Sequence, residues 1–126
     1  MTATTAQVQS AIEAVGVTGL TVYSDGVPPT ATVPYVALWT TPATPGTRAV
    51  SGRSRQSSAM WQAVVVQNTV SGAALIAAAL MSAIDGHRIG GVLTYTPFAS
   101  SPLKDTTDPD GELWTVTVDI TQQGAR

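Results

Sequence analysis

The sequence predicts an α+β domain in which two helices pack on one face of a largely antiparallel or mixed sheet, with two long loops. Strand patterns are clearest over residues 60–67 and 113–120, and helical patterns occur near the start and in the middle of the chain. The predicted order is α, β, β, long loop, β, α, β, long loop, β, which is typical of helices on one face of a sheet. With 126 residues, the chain is long enough for one core, and we expect a single domain over residues 1–126.

The first elements are a short helix and a short strand. Thr4 followed by Gln7 is a capping-box pattern, and Gly16 suits the end of the helix. The apolar positions between them fall on one helical face: Val8, Ala11, Ile12 and Val15. A short strand is then expected over Leu20 to Tyr23.

A proline-bearing arm leads into the next strand. Pro28, Pro29 and Pro34 fix φ and push the residues before them toward extended geometry, so the segment is pre-set. We expect it to adopt one defined conformation against its own sheet or an adjacent subunit. It carries few polar groups for catalysis and leads into a strand over about Tyr35 to Thr40.

The middle of the chain contains the first long loop, the strongest strand and the second helix. Residues 41–58 are rich in Pro, Gly, Ser and Thr, which indicates a long loop or a hairpin extension. Residues 60–67 have apolar side chains on both faces, so this strand is expected to be central. Ser71 is the predicted cap of a helix over about Gly72 to Ile84, closed by Asp85 and Gly86.

This second helix is apolar nearly all the way round, so it must be covered on more than one side. One side is expected to pack on the sheet. The other is expected to lie at or near a subunit boundary, with Ala77 and Ala78 as candidate interface residues.

The last predicted elements are a strand over Ile89 to Tyr95, an irregular loop over 96–112 and a final strand over 113–120. Asp110-Gly111 is a turn signal before the final strand. That strand alternates cleanly, with four apolar side chains expected to point inward: Trp114, Val116, Val118 and Ile120. Of the tryptophans, Trp61 and Trp114 are expected in the core, whereas Trp39 is suited to an interface.

Composition favours association over catalysis. Charged residues are 11% of the chain, against roughly 25% in typical soluble domains, which suggests that part of the surface is covered by copies or partners. A net charge of −2 argues against a dedicated nucleic-acid binder. The absence of cysteine excludes disulfides and thiolate chemistry. We also expect no signal peptide and no membrane span, because the longest apolar run, 73–81, is far too short.

The sequence offers no catalytic, cofactor-binding or metal constellation, so an enzyme is not expected and no cofactor is implied. His87 is the only histidine, and its place just after a helix suggests a structural role. Residues 108–112 lack the ligand spacing of an EF-hand. Residues 51–55 combine glycine, serine and arginine as an anion site would, but show no Walker pattern.

The two long loops carry opposite charge. The first contains Arg48, Arg53 and Arg55 and no acid; the second contains Asp105, Asp108, Asp110 and Glu112, with Lys104 as its one cation. Copies of one chain can be oriented by contacts in which different patches of one subunit meet on its neighbour. We therefore expect these residues at subunit or partner interfaces. The alternatives are that both loops are solvated, or that the arginines line a lumen and touch DNA phosphates.

Three stretches together resemble the small tail terminator, or tail completion, proteins of siphovirus-type bacteriophages. They are "VYSDGVPPTATVPYVAL", "WQAVVVQNTVSGAALIAAALMSAIDG" and "DPDGELWTVTVDI", which fall within residues 20 to 120. The resemblance is one of layout and composition. The chain departs from the expected pattern because it has no broad basic or acidic stripe, so no lumen-facing surface is identified.

The resemblance implies a non-enzymatic virion protein that forms a hexameric ring. Such a ring caps the tail tube, ends tube polymerisation and joins the tail to a head-tail connector or neck protein, and DNA passes through its lumen without sequence-specific recognition. The implied location is the virion neck, after assembly in the host cytoplasm. The alternatives are another neck component, such as a head-closure or adaptor protein, or a small intracellular ligand-binding module that dimerises.

Overall fold

The protein is described by a computed structural model covering residues 3–45, 57–104 and 113–124. These residues form two helices and a seven-stranded mixed sheet, which confirms the predicted α+β class. The helices are α1 (Thr5–Glu13) and α2 (Val70–Ile84). The strands are β1 (Thr21–Tyr23), β2 (Tyr35–Pro45), β3 (Ser57–Gln67), β4 (Arg88–Ile89), β5 (Val92–Ala99), β6 (Leu103–Lys104) and β7 (Trp114–Gly124).

The sheet has the order β1-β2-β3-β7-β5-β4, and β6 adds to β7 beyond the end of β5. Only the β1–β2 pair is parallel; every other described pair is antiparallel. The last strand in the sequence, β7, lies in the middle of the sheet and pairs along its full length with β3. The predicted central position of β3 is confirmed, because β2 flanks its other side.

The core lies between the helices and one face of the sheet, here called the core face. Val8 and Ile12 of α1 join the apolar stripe of α2 and the inward side chains of β2, β3 and β7 in one cluster. Trp61 and Val118 are at most 2% exposed, as the alternating pattern predicts. Trp114 is half-buried and packs at the edge of the cluster.

Helix α1 begins as predicted, with the full capping box. Thr4 Oγ1 accepts a hydrogen bond from Gln7 N, and Gln7 Oε1 accepts one from Thr4 N. Gln9 Nε2 donates to the carbonyl of Val22 in β1, which holds α1 against one edge of the sheet. Gly90, beside β4 at the opposite edge, also approaches α1 closely. One short helix thus contacts both edges of the sheet.

A buried side-chain amide links the backbone near the start of the chain to strands β4 and β5. Gln122, in β7, is 1% exposed, and its Oε1 accepts from Ala3 N at 2.8 Å. Its Nε2 donates to the carbonyl of Ile89 at 3.0 Å and to Thr94 Oγ1 at 2.8 Å, with a longer contact of 3.4 Å to the carbonyl of Val92. Both ends of the amide are therefore satisfied, which is what makes its burial tolerable.

Two predicted elements differ from the structure. The cap of α2 is Thr69, whose Oγ1 accepts from Gly72 N at 3.0 Å, so the helix starts before Ser71. The strand predicted over Ile89 to Tyr95 is a hairpin, because Gly90 and Gly91 both adopt positive φ and turn the chain between β4 and β5.

The two predicted loops are also shorter than expected. Strand β2 continues to Pro45 and β3 starts at Ser57. Both ends of the first predicted loop therefore extend the β2–β3 hairpin, which was the second of the two alternatives predicted for it. Strand β5 runs to Ala99 and β6 follows, so the region after Tyr95 is not wholly irregular. The predicted turn at 110–111 lies outside the described residues.

Candidate assembly surface

The charged loop residues fall outside the described residues, but the strands that flank them are placed. Arg48, Arg53 and Arg55 belong to the connection between Pro45 and Ser57, and the four acidic residues belong to the connection between β6 and β7. Ser57 pairs with Gly124 at one end of the β3–β7 ladder, whereas Gln67 pairs with Trp114 at the other. Ten residue steps of about 3.4 Å separate these ends, or about 34 Å. The two connections therefore leave the sheet at opposite ends.

The two alanines predicted at an interface lie on different sides of α2. Ala77 is 3% exposed and belongs to the core stripe of the helix, together with Ala73, Ile76, Leu80 and Ile84. Ala78 is exposed. Within one copy of the chain, Ala77 is therefore already covered, and Ala78 is the position that a partner can reach.

The exposed side of α2 is almost free of polarity. Ser71, Leu75, Ala78 and Ser82 follow each other at spacings of four, three and four residues, so they form one line along the helix, here called the α2 stripe. At about 100° per residue this line lies opposite the core stripe and points away from the sheet. Leu75 is 71% exposed, and α2 contains no charged residue from Val70 to Ile84.

A second apolar surface lies on the face of the sheet that points away from the helices, here called the open face. Its exposed part holds Trp39, Met60, Tyr95 and Phe98, which are 38–57% exposed and are here called the open-face patch. Trp39 and Met60 alternate with residues that point to the core face, and a register shift between Tyr95 and Phe98 puts both of these side chains on the open face. Ala37 and Val66, farther along the same face, are buried, whereas Leu103, which pairs with Thr115 in the row of Val66, is 59% exposed.

Strand pairing places the patch side chains around a polar centre. Trp39 pairs with Gln62, Gln62 with Asp119, and Asp119 with Phe98, which makes one row across β2, β3, β7 and β5. In the next row Thr121 lies between Met60 and Tyr95. Gln62 Nε2 contacts Asp119 Oδ1 at 3.5 Å in the middle of the patch. The arrangement is an apolar rim around an amide–carboxylate pair.

The described residues contain no cluster of metal-ligating side chains. Among 3–45, 57–104 and 113–124, no three His, Asp or Glu side chains are grouped as metal ligands would be. His87 Nδ1 lies 3.1 Å from the carbonyl of Asp85 at the end of α2, and Arg88 Nη1 donates to the carbonyl of Gly91. His87 therefore contacts the end of α2, and Arg88 contacts the turn between β4 and β5.

No helix in the described part of the chain has both the length and the apolar character needed to cross a bilayer.

The proline arm is folded back by a turn in which Ala31 N donates to the carbonyl of Pro28. Thr21 N also contacts the carbonyl of Pro34 at 3.4 Å, next to the start of β2. Pro28 and Pro29 are exposed, whereas Val27, Val33 and Pro34 are partly buried.

Sequence reasoning identified Trp39 and Ala78 as surface candidates but missed the rest of the open-face patch. Trp39 is 51% exposed, in keeping with its suggested interface role. Phe98 was missed because the predicted strand ended at Tyr95, and Tyr95 itself was not singled out. Met60 and Leu75 lie in a strand and a helix that are apolar on more than one side, so only their phase against buried neighbours distinguishes them.

Comparison with known proteins identifies the fold. The sequence matches no protein-family model, and no curated protein sequence matches it. A chain in the solved structure of the virion of a native gene transfer agent particle has a TM-score of 0.64 and 15% sequence identity, covering 98% of this chain and 96% of that one. A second solved structure, described without a function, has a TM-score of 0.55 and 19% identity over 85% of this chain and 79% of its own. At these identities the likeness shows a shared fold.

Proposed function

We propose that the chain is a structural protein of a virion and not an enzyme. The observation that carries the proposal is the fold match along nearly the whole length of a chain from a gene transfer agent virion. Two further observations support it: the described residues bear two apolar surfaces suited to assembly, and they contain no grouped metal ligands. The proposed partners are copies of the chain and other virion proteins, and the proposed location is the virion.

Within that class we propose a ring-forming tail terminator. The ring, with six copies as the resemblance implies, caps the finished tail tube, ends its polymerisation and offers a joining surface to the neck, while DNA passes through the lumen. The connections at opposite ends of the β3–β7 ladder support a ring with two chemically different ends. A head-closure or adaptor protein is the rival within the virion, and an oligomeric ligand-binding module is the rival outside it.

The opposite charges of the two connections support a directional contact. Because they leave the sheet about 34 Å apart, they are best placed to meet between copies or between this ring and the adjoining tail ring. We propose that Arg48, Arg53 and Arg55 project toward a neighbour and that the acidic residues between Lys104 and Trp114 receive them. Exposed ion pairs contribute only about 0–1 kcal/mol each, so they set the register of the contact more than its affinity.

Charge reversal tests this pairing. Arg53→Glu with Arg55→Glu should impair ring or tail assembly, and adding Asp108→Lys with Asp110→Lys should restore it, because the attraction is re-established with opposite signs. If assembly is unaffected and only DNA retention or ejection fails, the arginines contact DNA in the lumen and the pairing proposal is wrong.

The function itself is tested by blocking production of this protein from the start of an infection. Loss of a terminator should give tails of irregular and excessive length that do not join heads. Tails of normal length beside unjoined, leaking heads would instead indicate a head-closure protein. Native mass spectrometry of the purified chain should show a closed ring of copies; a stable dimer would favour the ligand-binding module.

A further inference from the structure

The chain carries two exposed apolar surfaces on opposite sides of its two layers. The α2 stripe faces away from the sheet, and the open-face patch faces away from the helices. We propose that the α2 stripe of one copy docks against the open-face patch of the next copy. This inference rests on the proposed ring and names the surfaces that build it.

The shapes of the two surfaces are complementary. Trp39 and Phe98 stand at the two ends of one row across four strands, and three strand spacings put their backbones about 14 Å apart. The residues between them, Gln62 and Asp119, have smaller side chains than Trp39 and Phe98. A helix with side chains is about 10–12 Å across, and α2 presents mainly alanine and serine on its exposed side. Such a helix fits between the two aromatic rims, with Leu75 as the one large projection.

Charge distinguishes this contact from its alternatives. Asp119 lies at the centre of the patch and is its one acidic side chain. Two open-face patches docked on each other would bring two such carboxylates together as apolar surface closes around them, which is unfavourable. The α2 stripe brings no charge, and the hydroxyls of Ser71 and Ser82 can donate to the carboxylate. A nucleic-acid phosphate would meet a negative group and no cation in this row.

The available area is suitable for an assembly contact. With exposed fractions of 38–57%, and roughly 200 Å² for each large side chain, the four patch residues offer about 400 Å². A standard interface buries about 800 Å² on each partner, so these side chains supply about half of one side. On the patch side, the remaining area would come from the polar residues of the same rows. On the helix side, the flanks of α2 would add to the α2 stripe.

The contact is directional. Because the two surfaces are different and lie on opposite sides of the domain, each copy can donate its helix to one neighbour and accept a helix from the other. Such heterologous contacts produce rings when the rotation between copies closes. Sheet and helix layers then alternate around the ring, and every copy buries both of its apolar surfaces.

Site-directed cross-linking tests the contact directly, because the chain contains no cysteine. Gln62→Cys places a thiol in the centre of the patch, and Ala78→Cys places one in the α2 stripe; both native side chains are exposed. With a short bismaleimide, a mixture of the two single variants should give a cross-linked dimer, and neither variant alone should. The double variant should give a ladder that ends at the number of copies in the ring.

The outcomes separate this inference from the proposed function. A ring seen by native mass spectrometry without a cross-link between the two variants would overturn the docking inference and leave the ring intact. Cross-linking of Gln62→Cys with itself would show patch-to-patch pairing and overturn it as well. A chain that stays monomeric and forms no cross-link at high concentration would overturn both proposals. A ladder of cross-linked species that does not end at a fixed number of copies would support the contact and refute the ring.

A charge substitution supplies a second, independent readout. Ala78→Glu adds a carboxylate to the α2 stripe opposite Asp119, so ring formation should require at least tenfold more protein. Ala6→Glu makes the same change on an exposed position of α1, outside both surfaces, and should leave the assembly curve unchanged. Circular dichroism should show that both variants fold. Equal assembly of the two variants would contradict the docking.

Discussion

The buried amide of Gln122 is expected to be one of the largest single polar contributions to stability in the described structure. In Gln122→Leu the volume is nearly kept, but the amide of Ala3 and the carbonyl of Ile89 lose their partners away from solvent. Each orphaned buried group costs about 1–3 kcal/mol, and the added apolar contact offsets part of this, so we expect a net loss of about 2–4 kcal/mol. The hydroxyl of Thr94 retains its bond to the carbonyl of Val92, which limits the loss.

Urea denaturation at a protein concentration below assembly measures this loss, and the thermal midpoint should fall by on the order of 10 °C. Gln62→Leu is the matched control, because this exposed glutamine has one long contact of 3.5 Å on the open face. Its free energy of unfolding should change by less than about 0.5 kcal/mol. Amide exchange should quicken selectively at the β4–β5 hairpin in Gln122→Leu. Equal stabilities for the two variants would refute the reasoning.

Three further substitutions test the core, the helix cap and a close backbone approach. Leu80→Ala should lower the free energy of unfolding by about 2–5 kcal/mol, because Leu80 is 1% exposed in the core stripe of α2. Thr69→Ala should cost about 1 kcal/mol and Ser71→Ala much less, as urea titrations of the two variants would show, since only the former removes the observed cap. Gly90→Ala should be more destabilising than Gly19→Ala in thermal melts. Both glycines have positive φ, but only at Gly90 would a Cβ lie 2.7 Å from a side-chain oxygen of α1. Equal losses of stability in the two variants would mean that this side chain of α1 moves aside at little cost.

The sequence was sufficient where a pattern has a fixed period. The alternation from Trp114 to Ile120 predicted which side of β7 is buried, and the capping box placed the start of α1. The pattern failed at Gly90 and Gly91, where two adjacent glycines are equally compatible with a weak strand and a tight turn. Which applies is decided by the partner strand, and pairing is not encoded locally.

The candidate surface was harder to predict because it depends on which element covers which. Met60 and Leu75 have the composition of core residues, and only the assembled layers show that nothing in the described chain covers them. Gln122 presents the reverse case: a polar residue that reads as exposed is buried, because a distant backbone amide and a distant carbonyl meet at its side chain. These two contacts join residues 119 and 33 positions apart and leave no periodic signal.

The central place of β7 also constrains the order of folding during synthesis. Strands β3 and β5 leave the ribosome well before β7, yet each pairs with it and they do not pair with each other. Until β7 emerges, the nascent chain holds two separate pieces of sheet, each with an unfilled edge, and the non-local pairing that joins them is slow to form. The core against which α2 packs is likewise incomplete until then. A nascent chain therefore cannot complete its sheet before β7 has been made.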